Sequence, residues 1–381
     1  MTNSLSEPST NGPLLFAHIG DLHITQAKQP NYVDFLSIVA QLETECGSAL
    51  DFVVLPGDNA DNGLPTQYKW VATALKMLSV PVFCIPGDHD MEQKSLAGFY
   101  QHLQAESLPL SRVIQGVRCL FLDMSGPGSG GPDFRLGDSQ RQWLVRELAI
   151  ARTNDERIVL FMHSYPADLT DPQETRFVNE LIAQHDVVLV DMGHTHYNEL
   201  ANDGHVIFSA TRSTGQIEEG PVGYALIAVD EGQVSWRFKA LHDAFPFVLI
   251  TSPADYRLRR DETPVPLGSV EVRAIAVGAT AERAVACRLN DGDWVPMILS
   301  DDRRSWVATI FVPSDDQLEL TVEAIDVSGR PGRHTIQLAS AGIKTRARIK
   351  NGSDADAIGA WPENGILGTQ LGPNRNGKPT S

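Results

Sequence analysis

DFVVLPGDNAD, residues 51–61, is a short apolar run that stops at a glycine and turns at once into acidic and amide side chains. Four other apolar stretches end as abruptly in polar residues, three of them at a glycine: LLFAHIGDLH at 14–23, VPVFCIPGDHD at 80–90, RIVLFMHSYP at 157–166 and DVVLVDMGHTH at 186–196. Runs of this length, bounded by Gly and Pro, are predicted as buried strands. Helical candidates lie between them at 31–48, 66–78 and 139–152, the last with apolar residues at Trp143, Leu144, Leu148 and Ile150. Strands alternating with helices predict a layered α/β domain whose polar groups collect at the strand ends.

Those ends carry Asp21 and His23, Asp58, Asp88 and His89, His163, then His194 and His196. If neighbouring parallel strands bring the ends together, three carboxylates and four imidazoles converge on one pocket, with His89 alongside. Mixed oxygen and nitrogen donors suit Mn, Fe, Zn or Co better than Ca or Mg alone. The donors suffice for two divalent or trivalent ions sharing a carboxylate. A phosphodiester repels an attacking hydroxide, and two cations remove that obstacle by neutralising the oxygens and acidifying a bound water. Gly20, Gly57, Gly87 and Gly193 stand beside the donors, where a Cβ would obstruct tight turns and close approach.

In this order the blocks D-x-H, G-D, G-D-H-D, H and G-H-x-H resemble the calcineurin-like metallophosphoesterases, over roughly residues 14–243. The resemblance implies a four-layer β-sandwich of mixed sheets flanked by helices. It also implies that Asp21, His23 and His196 hold one metal, that Asp58 bridges, and that Asp88, His163 and His194 complete the second. His89 is similar to the family's outer histidine, which orients substrate or protonates the leaving alkoxide, with Asp90 holding its ring; the plainer alternative is a structural histidine tied to Asp90. Asp88 stands where the family usually has Asn, which adds negative charge beside the second ion. The LDMSG segment, the Gly-rich loop after it and the QRQWLVREL helix are similar to the bacterial branch acting on cyclic nucleotides and small phosphodiesters.

Other residues are open to two readings. Asn59 either contacts a phosphate oxygen or, like Asp61, makes turn hydrogen bonds; Arg212 and Ser213 either border the substrate pocket or lie in a surface loop. His18 is expected inside its strand. The loop SGPGSGGPDF, 125–134, lacks the lysine and spacing of a phosphate-cradling loop and is expected as a rim.

After Asp243 the pattern changes to period-two runs, VEVRAIAV, AVACRLN, WVATIFV and LELTVEAIDV, separated by DGD, SDDRR, PSDD and SGRPG. This predicts a small Ig-like β-sandwich. The expected organisation is a polar extension 1–13, a catalytic domain 14–243, a β domain 244–340 and a tail 341–381. The tail's Trp361, Ile366, Leu367 and Leu371 either dock on the chain's own catalytic domain or on a neighbouring subunit, unless the tail is simply a disordered end.

A formal charge of -17 on 381 residues argues against long duplex nucleic acid as a substrate. No apolar run is long enough to span a bilayer, the N-terminal stretch lacks a secretory signal, and four scattered cysteines suggest a reducing cytoplasm. The expected function is hydrolysis of a small phosphodiester by metal-bound hydroxide, a 3′,5′-cyclic nucleotide first and a glycerophosphodiester second. The alternatives are a phosphomonoesterase and a non-catalytic scaffold that binds a phosphorylated ligand. Expected partners are the small substrate alone, with the β domain or the tail as the surface through which a homo-oligomer would form.

Overall fold

Every residue of the strand Leu14–His18 (β1) is buried, and successive side chains enter different cores: Leu14 and Phe16 one, Leu15 and Ala17 another. Burial on both faces is what a near-continuous apolar run in a covered sheet requires. The computed structural model describes residues 12–125, 133–278, 282–314, 318–339 and 356–367. Most of the expected N-terminal extension, the centre of the Gly-rich loop and Leu371 fall outside these residues.

β1 pairs in parallel with Phe52–Leu55 (β2), which pairs in parallel with Val82–Cys84 (β3). The antiparallel strands Gly223–Asp230 (β10) and Gln233–Ala240 (β11) complete a sheet of order β11-β10-β1-β2-β3. The second sheet comprises Leu110–Ile114 (β4), Val117–Phe121 (β5), Arg157–Phe161 (β6), Val187–Met192 (β7), Glu199–Asn202 (β8) and Ile207–Ala210 (β9), in the order β4-β5-β6-β7-β9-β8. Phe16, Phe52, Phe121 and Phe161 pack between the sheets, the rings of Phe121 and Phe161 stacked 4.5 Å apart.

Helices cover the outer faces. Pro30–Gln41 (α1), Pro65–Leu75 (α2) and Ala97–Leu103 (α3) bury Phe35, Tyr68 and Phe99 against the first sheet. Gly137–Thr153 (α4) and Pro172–Gln184 (α5) bury Leu144, Leu148, Val178 and Ile182 against the second. The expected four layers are therefore present. The first predicted helix is shorter than expected, because α1 gives way to a π-helical turn at Leu42–Cys46. Ile150 of α4 faces outward despite its place in the predicted apolar set.

Beyond residue 244 two antiparallel sheets enclose a separate core. One has Phe247–Ser252 (β12), Gly268–Val277 (β13), Ser305–Val312 (β17) and Ile298–Leu299 (β16); the other has Val295–Pro296 (β15), Glu282–Leu289 (β14), Leu318–Asp326 (β18) and Pro331–Leu338 (β19). β12 belongs to both cores, with Phe247 and Leu249 in the core of the first sheet and its helices and Val248 and Ile250 in the sandwich. The four cysteines are buried free thiols. Among the described residues no helix is long and apolar enough to cross a membrane.

The described part of the tail docks on its own chain. Ile358 donates its N–H to the Leu200 carbonyl, and Trp361 and Ile366 enter the core between the sheets. The Arg257 guanidinium lies 3.6 Å over the Trp361 ring. Trp361→Ala is expected to cost about 3–5 kcal/mol, the usual range for emptying a buried aromatic site. Urea unfolding of the full chain measures it; a loss under about 1 kcal/mol would show that the tail contributes no packing energy.

Candidate metal centre

β1, β2 and β3 run parallel, as do β6 and β7, so the polar stretches after these strands leave the two sheets on one side. The chain turns sharply there: His23, Asp58, His194 and His196 all have positive φ, between 43° and 66°. Four non-glycine residues in a sparsely populated region carry a conformational cost that persists only where the surroundings impose it. Gly57 and Gly87 supply the close approach expected of them. A Cβ on Gly57 would lie 2.0 Å from His163 Nδ1, and one on Gly87 2.2 Å from Asp58 Oδ1.

The side chains converge in two groups whose donor atoms lie within 4.8 Å of one another: His23, Asp58 and His196, and Asp58, Asp88, His163 and His194. Asp58 joins them. Its Oδ2 is 3.7 Å from His23 Nε2 and 3.5 Å from His163 Nε2. In the first group His23 Nε2 and His196 Nε2 face each other at 3.1 Å. Burial pulls the pKa of His23 down to about 3 and that of His196 to about 4, so both rings are neutral near pH 7, the form that binds metal. In the second group Asp88 Oδ1 lies 3.0 Å from His163 Nε2 and 3.3 Å from His194 Nδ1. His163 Nδ1 donates to the Pro56 carbonyl at 2.9 Å, which aims Nε2 at the cluster.

Asp21 is fully buried beside both groups. Its Oδ2 accepts the His194 N–H at 2.9 Å, whereas its Oδ1 has no hydrogen-bond partner. A buried carboxylate oxygen without a donor is costly, and burial pushes the Asp21 pKa up to about 7. A cation among these donors would satisfy that oxygen and the facing imidazoles together. The residues present therefore fit metal ions, with mixed imidazole and carboxylate donors that suit transition metals.

His89 stands beside the first group, its ring centroid 4.6 Å from that of His23. Its Nδ1 donates to the Asp61 carbonyl at 2.8 Å and lies 3.1 Å from Glu92. Burial alone would lower the His89 pKa, but Asp58, the Asp61 carbonyl, Asp88 and Glu92 together raise it.

Four residues named beside the ligand motifs have partners of their own. Asp90 does not hold the His89 ring: its carboxylate accepts the N–H groups of Gly87, Asn59 and Ala60 and the Asn59 amide, tying the loop after β2 to the loop after β3. Of the two readings of Asn59 the structure shows the hydrogen-bonding one, its Nδ2 donating to the Ile85 carbonyl and Asp90. The Arg212 guanidinium is buried against the carbonyls of Glu219, Pro221 and Gly365 and over Phe238, so it neither borders this site nor lies in a surface loop. Ser213 is also buried and accepts the N–H groups of Gly215 and Gln216.

Two further residues line the site, Phe134 from the loop expected as a rim and Gln216 with no role assigned from sequence. Gln216 Nε2 is 3.2 Å from His23 Nδ1, and Phe134, at the described end of the Gly-rich loop, sets its ring 5.2 Å from that of His194. Gln216 is 193 residues from His23. No spacing rule could have paired them.

Residues 14–198 match the family model for calcineurin-like phosphoesterases. This region belongs to that family. Its members use a binuclear metal centre, and the two groups joined by Asp58 are the corresponding candidate ligands. A probable glycerophosphodiester phosphodiesterase of Arcobacter nitrofigilis is 30% identical over 160 residues, covering 38% of this chain and 56% of that protein. The 3′,5′-cyclic adenosine monophosphate phosphodiesterase CpdA of Escherichia coli K12 is 29% identical over 150 residues, covering 39% of this chain and 52% of that protein. The chain thus spans about half the length of the curated relatives it matches. A solved dimetal phosphatase from Danio rerio aligns over 61% of this chain and 98% of its own, with a TM-score of 0.45 and 16% identity.

Proposed function

We propose that the chain is a metal-dependent phosphodiesterase acting on a small substrate, a 3′,5′-cyclic nucleotide before a glycerophosphodiester. The observation that carries this reading is the position of Asp58 Oδ2 between two sets of converging donors, with the imidazole of His89 beside them. The names of the similar proteins support the choice of substrates. Asp21, His23 and His196 would hold one ion, Asp88, His163 and His194 the other, and Asp58 both. Two such ions supply an acidified water and neutralise the phosphate oxygens when bound.

The protein's own contribution is positional. A carbonyl only accepts, so the bond to Asp61 fixes the proton of His89 on Nδ1, leaving Nε2 to carry and deliver a second proton. The neighbouring carboxylates favour that cationic form, which suits His89 as the donor to the departing alkoxide. Asp90 and Pro56 lock the loops that carry Asp58, Asp88 and His163.

The decisive experiment is a substrate panel run on metal-stripped protein reloaded with Mn, Fe, Zn or Co. Cyclic nucleotides, glycerophosphodiesters and bis(p-nitrophenyl) phosphate are expected to turn over faster than p-nitrophenyl phosphate and single-stranded DNA. Preference for the monoester would replace the reading with a phosphomonoesterase, and inactivity with every metal would leave a binding scaffold. Metal analysis of gently purified protein should give about two ions per chain, one for each of the two donor groups that share Asp58.

Asp88 tests the charge at the second group. A carboxylate donates more charge to a cation than an amide, so Asp88→Asn is expected to weaken metal binding there. With metal in excess the variant should be inhibited more strongly by phosphate, because less of the cationic charge is neutralised. Metal titration and phosphate inhibition at several pH values measure both; no change in either would remove Asp88 from the ligand set.

A further inference from the structure

A cavity of about 380 Å³ opens where β11, the start of β12, β19 and the docked tail meet. Its lining includes none of the converging residues of the metal centre. Besides the exposed Arg333, which pairs with Glu323, the wall holds three cations: Arg212 and Lys239, each only 1% exposed, and the half-buried Arg237. Their hydrogen bonds go mainly to carbonyls. Lys239 Nζ donates to Ala240 and Asp243 at 3.0 and 2.6 Å, and Arg237 Nη1 to Val248 at 2.6 Å. Arg212 has one carboxylate nearby, Glu219, at 3.5 Å. The Nε atoms of Arg212 and Arg237 are buried without a hydrogen-bond partner.

Carbonyl dipoles hold a cation in place without cancelling its charge. The lining carboxylates, Asp243 and Glu363, are exposed, so water and salt screen them more than the buried cations. Burial lowers the pKa of Arg212, Lys239 and Arg237, the last to about 10, while Glu219 acts the other way on Arg212 and Asp243 on the other two. In a chain of formal charge -17 this is an unusual place to collect positive charge.

We propose that this cavity binds a small phosphate-bearing anion at a site separate from the metal centre. Its volume falls within the range of small-molecule sites. A phosphate group brings enough acceptor oxygens and charge to meet two guanidinium groups and an ammonium together, which the two oxygens of a carboxylate do not. The site also reaches the metal centre through a short path. Arg212 donates its N–H to Asn198 Oδ1 at 2.8 Å, Asn198 lies two residues beyond His196, and the side chains of both Asn198 and Arg212 donate to the Gly365 carbonyl of the tail. An anion on Arg212 therefore bears on the loop that carries His194 and His196, and any coupling is reciprocal.

The test uses full-length protein stripped of metal, in which the carboxylates of the metal centre repel phosphate, and titrates inorganic phosphate by calorimetry. One saturable site per chain is expected, weakened at least about tenfold in Arg237→Gln, on the scale of losing a partner of a charged hydrogen bond. Lys239→Met should act in the same direction, and thermal melting identifies any variant that fails to fold. Hydrogen exchange should show phosphate-dependent protection of residues 237–247 and 356–367. Absence of binding to the stripped protein, binding unchanged in a folded Arg237→Gln, or protection confined to the loops carrying Asp58 and His163 would each overturn the proposal. The metal-loaded substrate panel is independent of this outcome.

Discussion

Asp58→Ala is expected to abolish the proposed phosphoester hydrolysis, because it removes the side chain that the two donor groups share. Its Oδ2 lies within 3.7 Å of an imidazole from each group, so truncation removes one donor from both sets at once. A change at His196 or Asp88 alone affects one set. The substitution also deletes Oδ1, which accepts the N–H of His89 at 3.0 Å and helps place the proposed proton donor. Activity toward bis(p-nitrophenyl) phosphate is expected to fall to background, and bound metal to fall below that of single-group variants. Substantial turnover in Asp58→Ala at saturating metal would show that the two groups work independently.

His89→Ala should have a different signature. The ring borders the first donor group but is held by the Asp61 carbonyl and Glu92, so its loss should leave metal content near that of the parent protein. Turnover should slow by roughly 10²–10⁴-fold, the scale for losing a positioned general acid. The deficit should shrink with substrates whose leaving group needs no proton, such as nitrophenolate esters, and be largest for alkoxide leaving groups. Emptying of the metal centre in His89→Ala would instead make the residue a ligand, and the neighbouring trio of His23, Asp61 and His89 shows which atoms would then be involved. Asp90→Asn is predicted to act through the loops and not the His89 ring, since Asp90 receives four hydrogen bonds from the loops after β2 and β3.

The layered fold and the members of the candidate centre were legible from the sequence because both rest on short-range patterns. An apolar run that stops abruptly at Asp or His reports a covered strand and its polar exit, and five such exits in order, three of them Gly-Asp, name the residues that parallel strands deliver to one side. Hydrogen-bond partners depend instead on where distant loops cross. His23 meets His196 across 173 residues, Arg212 meets Gly365 across 153, and Asp90 chooses the N–H groups of Asn59 and Ala60 over the adjacent His89 ring. For that reason Asn59 and Asp90, which stand inside the ligand motifs in sequence, brace the loops after β2 and β3, whereas Gln216 enters the site unannounced. Periodicity specifies which side chains leave water; the packing of the two sheets and the docked tail decides what each buried polar atom finds there.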